Sequence, residues 1–140
     1  EQLDLIAPQL SFLSIGTNDL TQFLFAADRS HPKLAERYDW LSPAILRFLR
    51  RVMQGVAGHD VDVTVCGEMG GRRLEALALM GLGLRRLSIT PAAVGPIKEL
   101  VRKVDVNEIS AAMNQWLSSP PPSLRDALLA WALERGIECD

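Results

Sequence analysis

The chain has 140 residues, 48% of them hydrophobic, and its 15 Lys and Arg against 17 Asp and Glu leave a net charge of −2. That is enough for one domain with a real core, and it gives no electrostatic case for nucleic acid or an anionic membrane as partner. No run approaches the length of a transmembrane helix, Cys66 and Cys139 make neither a disulfide framework nor a zinc site, and cytoplasmic residence is the expectation.

Gln2, Leu3, Leu5 and Ile6 read as the end of a helix. An apolar run from Leu10 to Ile15, broken only by serines, then predicts a strand over Phe12 to Ile15. It stops at Gly16, and the small polar residues Thr17, Asn18 and Asp19 follow, with Asp28-Arg29 closing the segment. A buried parallel strand delivers chemistry in this way, packed along its length and open at its C-terminal end. Asn18 offers an amide, Asp19 a carboxylate and Arg29 a fixed guanidinium, a set that suits a phosphorylated, metal-bound anion. Taken alone, Asn18 and Asp19 suit a helix cap equally well.

Ser42-Pro43 opens a helix, with a capping hydroxyl and a proline fitted to the first turn. Ile45, Leu46, Leu49, Val52, Met53 and Val56 take one face and Arg47, Arg50 and Arg51 the other, until Gly55 and Gly58 end it. A second strand, Val61 to Cys66, runs into Gly67-Glu68-Met69-Gly70-Gly71. Cys66 at the last strand position should point into the same mouth as Asp19. A thiol titrates near ~8.5 in model peptides and so holds a donatable proton at neutral pH. A lone cysteine is also a common core residue.

Leu74, Leu77, Ala78 and Met80 mark a short helix stopped by Gly81 and Gly83. Leu87 to Thr90 reads as the third strand, ended by Pro91, and Val94, Ile97, Leu100, Val101 and Val104 form the next stripe. The repeating strand–helix order implies parallel right-handed crossovers and an α/β fold. Beyond Asp105 the pattern is helical only. Ile109, Met113, Trp116 and Leu117 share one face, Pro120-Pro121-Pro122 interrupts, and Ser123 caps a last helix through Leu124, Leu128, Trp131 and Ala132. The pairs Arg50-Arg51, Arg72-Arg73 and Arg85-Arg86 read as solvated faces. His31 and His59 read as exposed loop residues, and Cys139 as a free thiol in a frayed tail.

Three parallel strands cannot close a barrel and leave their outer edges unpaired. The expectation is therefore a C-terminal piece of a longer protein, its N-terminal part cut away before Glu1.

These residues carry a resemblance. Phe12 to Gln22 with Asp28-Arg29 resembles the second signature of phosphoenolpyruvate-utilising enzymes, and Cys66-Gly67-Glu68-Met69 resembles their catalytic cysteine loop. Within that superfamily the match is nearest to the Enzyme I group of the bacterial phosphotransferase system, including its nitrogen branch. It runs from about Ser11 to Val104, and the tail matches loosely. One departure is Gly70-Gly71-Arg72, where Enzyme I proteins usually carry alanine, glycine and aspartate. Pyruvate phosphate dikinase also has paired glycines there.

The resemblance implies a (β/α)8 TIM barrel, of which residues 1–104 are the last three strands and helices and residues 105–140 a C-terminal helical tail. It implies that Asn18 and Arg29 bind the phosphate of phosphoenolpyruvate, that Asp19 ligates Mg2+, that Cys66 protonates the enolpyruvate carbon, and that Glu68 supports the loop. It implies transfer of phosphate from phosphoenolpyruvate to an enzyme histidine and on to an HPr-like phosphocarrier protein, with release of pyruvate, in a homodimeric parent. The phosphohistidine domain, a second magnesium carboxylate and further arginines would lie upstream. The alternatives are a pyruvate phosphate dikinase or phosphoenolpyruvate synthase type of domain, and a non-catalytic dimerisation or regulatory module in which the site residues are relics.

Overall fold

A computed structural model describes residues 2–28, 30–34 and 38–139. A short helix α1 (Leu3–Ile6) and a 3-10 turn (Ala7–Gln9) lead into strand β1 (Phe12–Gly16). Then come α2 (Thr17–Phe25), α3 (Pro43–Val56), β2 (Asp62–Cys66), a 3-10 turn (Glu68–Gly71) and α4 (Arg73–Gly81). Strand β3 (Arg86–Ser88), α5 (Pro91–Lys103), α6 (Val106–Ser118) and α7 (Leu124–Glu134) complete the chain.

The three strands form one parallel sheet in the order β1-β2-β3. Gly16 stands opposite Cys66, and Cys66 opposite Ser88. Period-two alternation then sorts the side chains. Leu13, Ile15, Val63, Val65 and Leu87 face the helices and join one core with α3 and α4. Phe12, Ser14, Gly16, Asp62, Thr64, Cys66, Arg86 and Ser88 share the other face, which is exposed or half-buried throughout. Arg86 and Asp62 pair across β2 and β3 on that open face.

Sequence and structure agree at most ends. Ser42 Oγ accepts from the Ile45 N–H, with Pro43 at the first helical position. Ser123 Oγ accepts from the Asp126 N–H at 3.1 Å, and Asp105 caps α6 by accepting from Asn107 and Glu108. Gly83 ends the α4 turn at φ +94°, a conformation that favours glycine. His31 and His59 are exposed in loops.

Four expectations are corrected. The strand–helix order is not a simple alternation, because the segment after Gly16 winds at once into α2, so two helices separate β1 from β2. The third strand covers Arg86–Ser88 rather than Leu87 to Thr90. The arginine pairs are not simply solvated. Arg73 bridges Glu99 with its side chain 19% exposed, and Arg85 donates to the Met80 and Leu84 carbonyls at the end of α4. Cys139 is buried in the core rather than frayed in the tail.

The tail helices pack on the strand–helix part rather than hanging from it. Ile109, Met113 and Leu117 of α6, and Leu124, Leu128 and Ala132 of α7, lie in the same core as α4. Helix α4 is buried on every side, Glu75 included. The Glu75 carboxylate accepts from Arg125 Nη2 at 2.9 Å, and the same nitrogen donates to Asp39 Oδ1 at 2.7 Å. A buried charge persists only with such a partner. Burial pulls the Arg125 pKa down, but the hydrogen bonds and charges of Asp39 and Glu75 outweigh it and leave it above its ordinary value.

Candidate functional site at the strand ends

Parallel register brings the C-terminal ends of β1 and β2 side by side, Gly16 against Cys66. Each strand then turns sharply. After Gly16 the chain enters α2 directly, so Asn18 and Asp19 fall in the first helical turn. After Cys66, Gly67 takes φ +113°, and the 3-10 turn Glu68–Gly71 is anchored by Met69, which is fully buried.

Short contacts tie the two ends together. Thr17 Oγ1 donates to the Cys66 carbonyl at 3.2 Å. Gly67 makes that approach possible, since a Cβ there would stand 2.7 Å from Thr17 Oγ1. Ser14 Oγ donates to Cys66 Sγ at 3.6 Å, a distance suited to the larger sulfur. Asn18 Nδ2 donates to Glu68 Oε1 at 3.3 Å. Asp19 Oδ2 and Cys66 Sγ each lie 4.0 Å from where a Cβ on Gly16 would stand.

Asn18, Asp19, Cys66 and Glu68 are therefore gathered at one mouth. Arg29 lies outside the described residues. Ser14 and Thr17 belong to the quoted motif but carry no role in the sequence reading. Their signal is cross-strand register, which the linear sequence does not print.

The mouth has a definite chemical character. Asn18 Oδ1 is buried and has no hydrogen-bond partner among the described residues. Such an acceptor costs about 1–3 kcal/mol until a donor or cation meets it. Gly16 brings no capping side chain, so the N–H groups opening α2 have no side-chain acceptor from the N-cap. Helix N-termini with free N–H groups attract anions. A thiol and a carboxylate flank that end. Among the described residues no group of three or more His, Cys, Asp or Glu side chains is placed to hold a metal ion. A cation here would take Asp19 as one hard oxygen donor and need others from elsewhere.

Fold and mouth together define an α/β protein whose polar site is built at the C-terminal ends of adjacent parallel strands. A family model described as PEP-utilising enzyme, PEP-binding domain matches residues 2–106, and the chain belongs to that family. The chain is 43% identical over 114 residues to a phosphoenolpyruvate-protein phosphotransferase of Borreliella burgdorferi, covering 81% of the chain and 20% of that relative. It is 35% identical over 133 residues to a protein of Salmonella typhimurium named phosphoenolpyruvate-dependent phosphotransferase system, covering 94% and 18% respectively. A multiphosphoryl transfer protein of Xanthomonas campestris is 45% identical over 101 residues, covering 72% and 12%. The chain thus spans a fifth or less of the length of these relatives. No helix among the described residues is long and apolar enough to cross a membrane.

Proposed function

We propose that this chain is the C-terminal part of the phosphoenolpyruvate-binding barrel of a cytoplasmic phosphoenolpyruvate–protein phosphotransferase. The observation that carries the reading is the convergence of Asn18, Asp19 and Cys66 at one pair of strand ends, in a chain of this family. The open sheet face supports the barrel. Parallel sheets are almost always covered on both faces, yet Ser14, Thr64, Cys66, Arg86 and Ser88 stand open here. Polar residues on that face suit the interior of a closed (β/α)8 barrel whose other strands come from upstream. Residues 1–104 would supply the barrel part and residues 105–140 the helical tail.

Each residue then has a task. The N-terminus of α2 and the Asn18 amide would bind the phosphoryl group, and Asn18 would leave Glu68 to do so. Arg29 would add a bidentate cationic contact. The residues fit Mg2+ in part: Asp19 would hold it through one carboxylate, beside Asn18 Oδ1, which is unpartnered among the described residues, with the remaining ligands upstream or from solvent. Bound there, magnesium would supply charge neutralisation as the phosphoryl group leaves. Cys66 would deliver its proton to the methylene carbon of enolpyruvate, giving pyruvate, with Ser14 donating to the sulfur that remains. Thr17 and Gly67 would fix the strand end that carries Cys66.

The phosphate would pass to a histidine upstream and from there to an HPr-like phosphocarrier protein, in a homodimeric parent. The names of the relatives favour a phosphotransferase over a pyruvate phosphate dikinase. The test is Asp19→Ala in the full-length protein. Magnesium-dependent autophosphorylation from labelled phosphoenolpyruvate should fall by about a hundredfold or more, because Asp19 is the carboxylate proposed to hold the ion, and Glu68 is engaged with the Asn18 amide. Normal labelling would make Asp19 a helix-capping residue only.

A further inference from the structure

The backbone does not require glycine at position 16. Its φ of −80° and ψ of 96° lie where any residue sits comfortably. Packing does not require it either. Among the described residues a Cβ there would meet only Asp19 Oδ2 and Cys66 Sγ, both at 4.0 Å, an ordinary van der Waals contact. Gly67, on the adjoining strand end, is the opposite case: its φ is +113° and Thr17 Oγ1 blocks any Cβ at 2.7 Å.

Glycine is also not the residue that local structure favours most here. It ends β1, where it weakens the strand and adds no side chain to the packing. It is the N-cap of α2, where Ser, Thr, Asn or Asp would bond a free N–H. What glycine leaves is space. The empty position above its Cα is equally near a carboxylate oxygen and a sulfur.

We infer that Gly16 is a positioning residue, kept bare so that the enolpyruvate part of the substrate seats between the Asp19 carboxylate and the Cys66 sulfur. The inference rests on the function proposed above. In the forward direction the Cys66 S–H bond breaks and a C–H bond forms at the methylene carbon. The enolate electron pair supplies that bond, the carbonyl closes, and a thiolate is left. The reverse step returns the proton from the pyruvate methyl group to sulfur. Gly16 takes no part in the bond changes. Its bareness sets the distance across which they occur, and a methyl group there would lift the carbon away from the thiol.

The experiment uses Gly16→Ala, Gly16→Ser and Gly16→Val in the full-length protein. Thermal unfolding and magnesium-dependent exchange of solvent deuterium into the pyruvate methyl group are both measured. Gly16→Ala and Gly16→Ser should melt at or above the wild-type temperature, because an ordinary φ/ψ and a free cap position welcome a side chain. Exchange should fall at least tenfold in Gly16→Ala and further in Gly16→Val. Wild-type exchange in Gly16→Ala overturns the inference and leaves the proposed function standing. A clear drop in melting temperature for both Gly16→Ala and Gly16→Ser also overturns it, by making the glycine structural. Absence of exchange in the wild-type protein overturns the function, and the inference with it.

Discussion

At Gly81, helix α4 touches α6 with no room to spare. A Cβ there would lie 2.5 Å from Met113 Cγ and 3.2 Å from the Ile109 carbonyl oxygen. Gly81→Ala must push the helices apart, so a loss of about 1–3 kcal/mol is expected by chemical denaturation. Unchanged stability would show that the two helices part easily. Arg125 gives a second residue-scale prediction. Arg125→Ala strands the Glu75 carboxylate, which is 3% exposed. Removing one partner of a fully buried pair costs about 3–5 kcal/mol. With the Arg125 side chain 40% exposed, about 1.5–3 kcal/mol is expected, read from the denaturation midpoint. The raised Arg125 pKa sets the sign of the pH dependence. The arginine's contribution is complete below its unfolded value and fades only as pH rises through the folded value, so its own titration leaves stability flat through the neutral range. At this scale the sequence carried the motif residues Asn18, Asp19, Cys66 and Glu68, because small polar groups right after an apolar strand are a local signal. It did not carry Ser14 and Thr17 as partners of Cys66, nor Arg125 as partner of Glu75. Those contacts join positions 49 to 52 residues apart in the first two cases and 50 in the third.

At the scale of elements, legibility followed amphipathicity. Helix α3 declares itself because one face is core and the other carries arginines. Helix α2 does not. It has nine residues, begins with the polar motif, and buries only Thr17 and Thr21, while Phe23 is 80% exposed. Leu20, Phe23 and Leu24 fall at helical spacing, but the stripe is short, and Phe23 and Leu24 stay exposed, so burial does not mark the helix. The shortened β3 has a similar cause. Ile89 and Thr90 continue the β-rich composition, but the ladder with β2 stops at Ser88, opposite Cys66 where β2 itself ends. Caps were readable because their chemistry is local. Ser123→Ala should cost about 1 kcal/mol, the usual worth of an N-cap hydroxyl, and lower the melting temperature by a few degrees. A negligible change would show that the three prolines before it hold α7 in place unaided.

The whole molecule has one covered and one uncovered sheet face. Phe12, 69% exposed, stands on the open face, while Leu5, Ile6 and Phe23 are exposed elsewhere in the N-terminal part of the chain. Singly exposed apolar residues are ordinary, but a parallel sheet with one bare face and open edges invites pairing. The 140-residue chain alone is therefore expected to self-associate, and sedimentation velocity should find species larger than a monomer. A clean monomer would mean that the open face is tolerated in water. The parallel strand order and helical tail were legible because strand and helix periods differ in the sequence. The tail's packing on α4 was not, because an apolar stripe announces burial without naming its partner. The central claim is that Cys66 moves a proton to and from carbon at a site that binds phosphoenolpyruvate. Cys66→Ala in the full-length protein tests it most directly, with calorimetry and deuterium exchange into pyruvate run on the same sample. Phosphoenolpyruvate and magnesium should bind within a few-fold of wild type while exchange falls by a hundredfold or more. Wild-type exchange in Cys66→Ala, or loss of ligand binding together with exchange, would contradict the account.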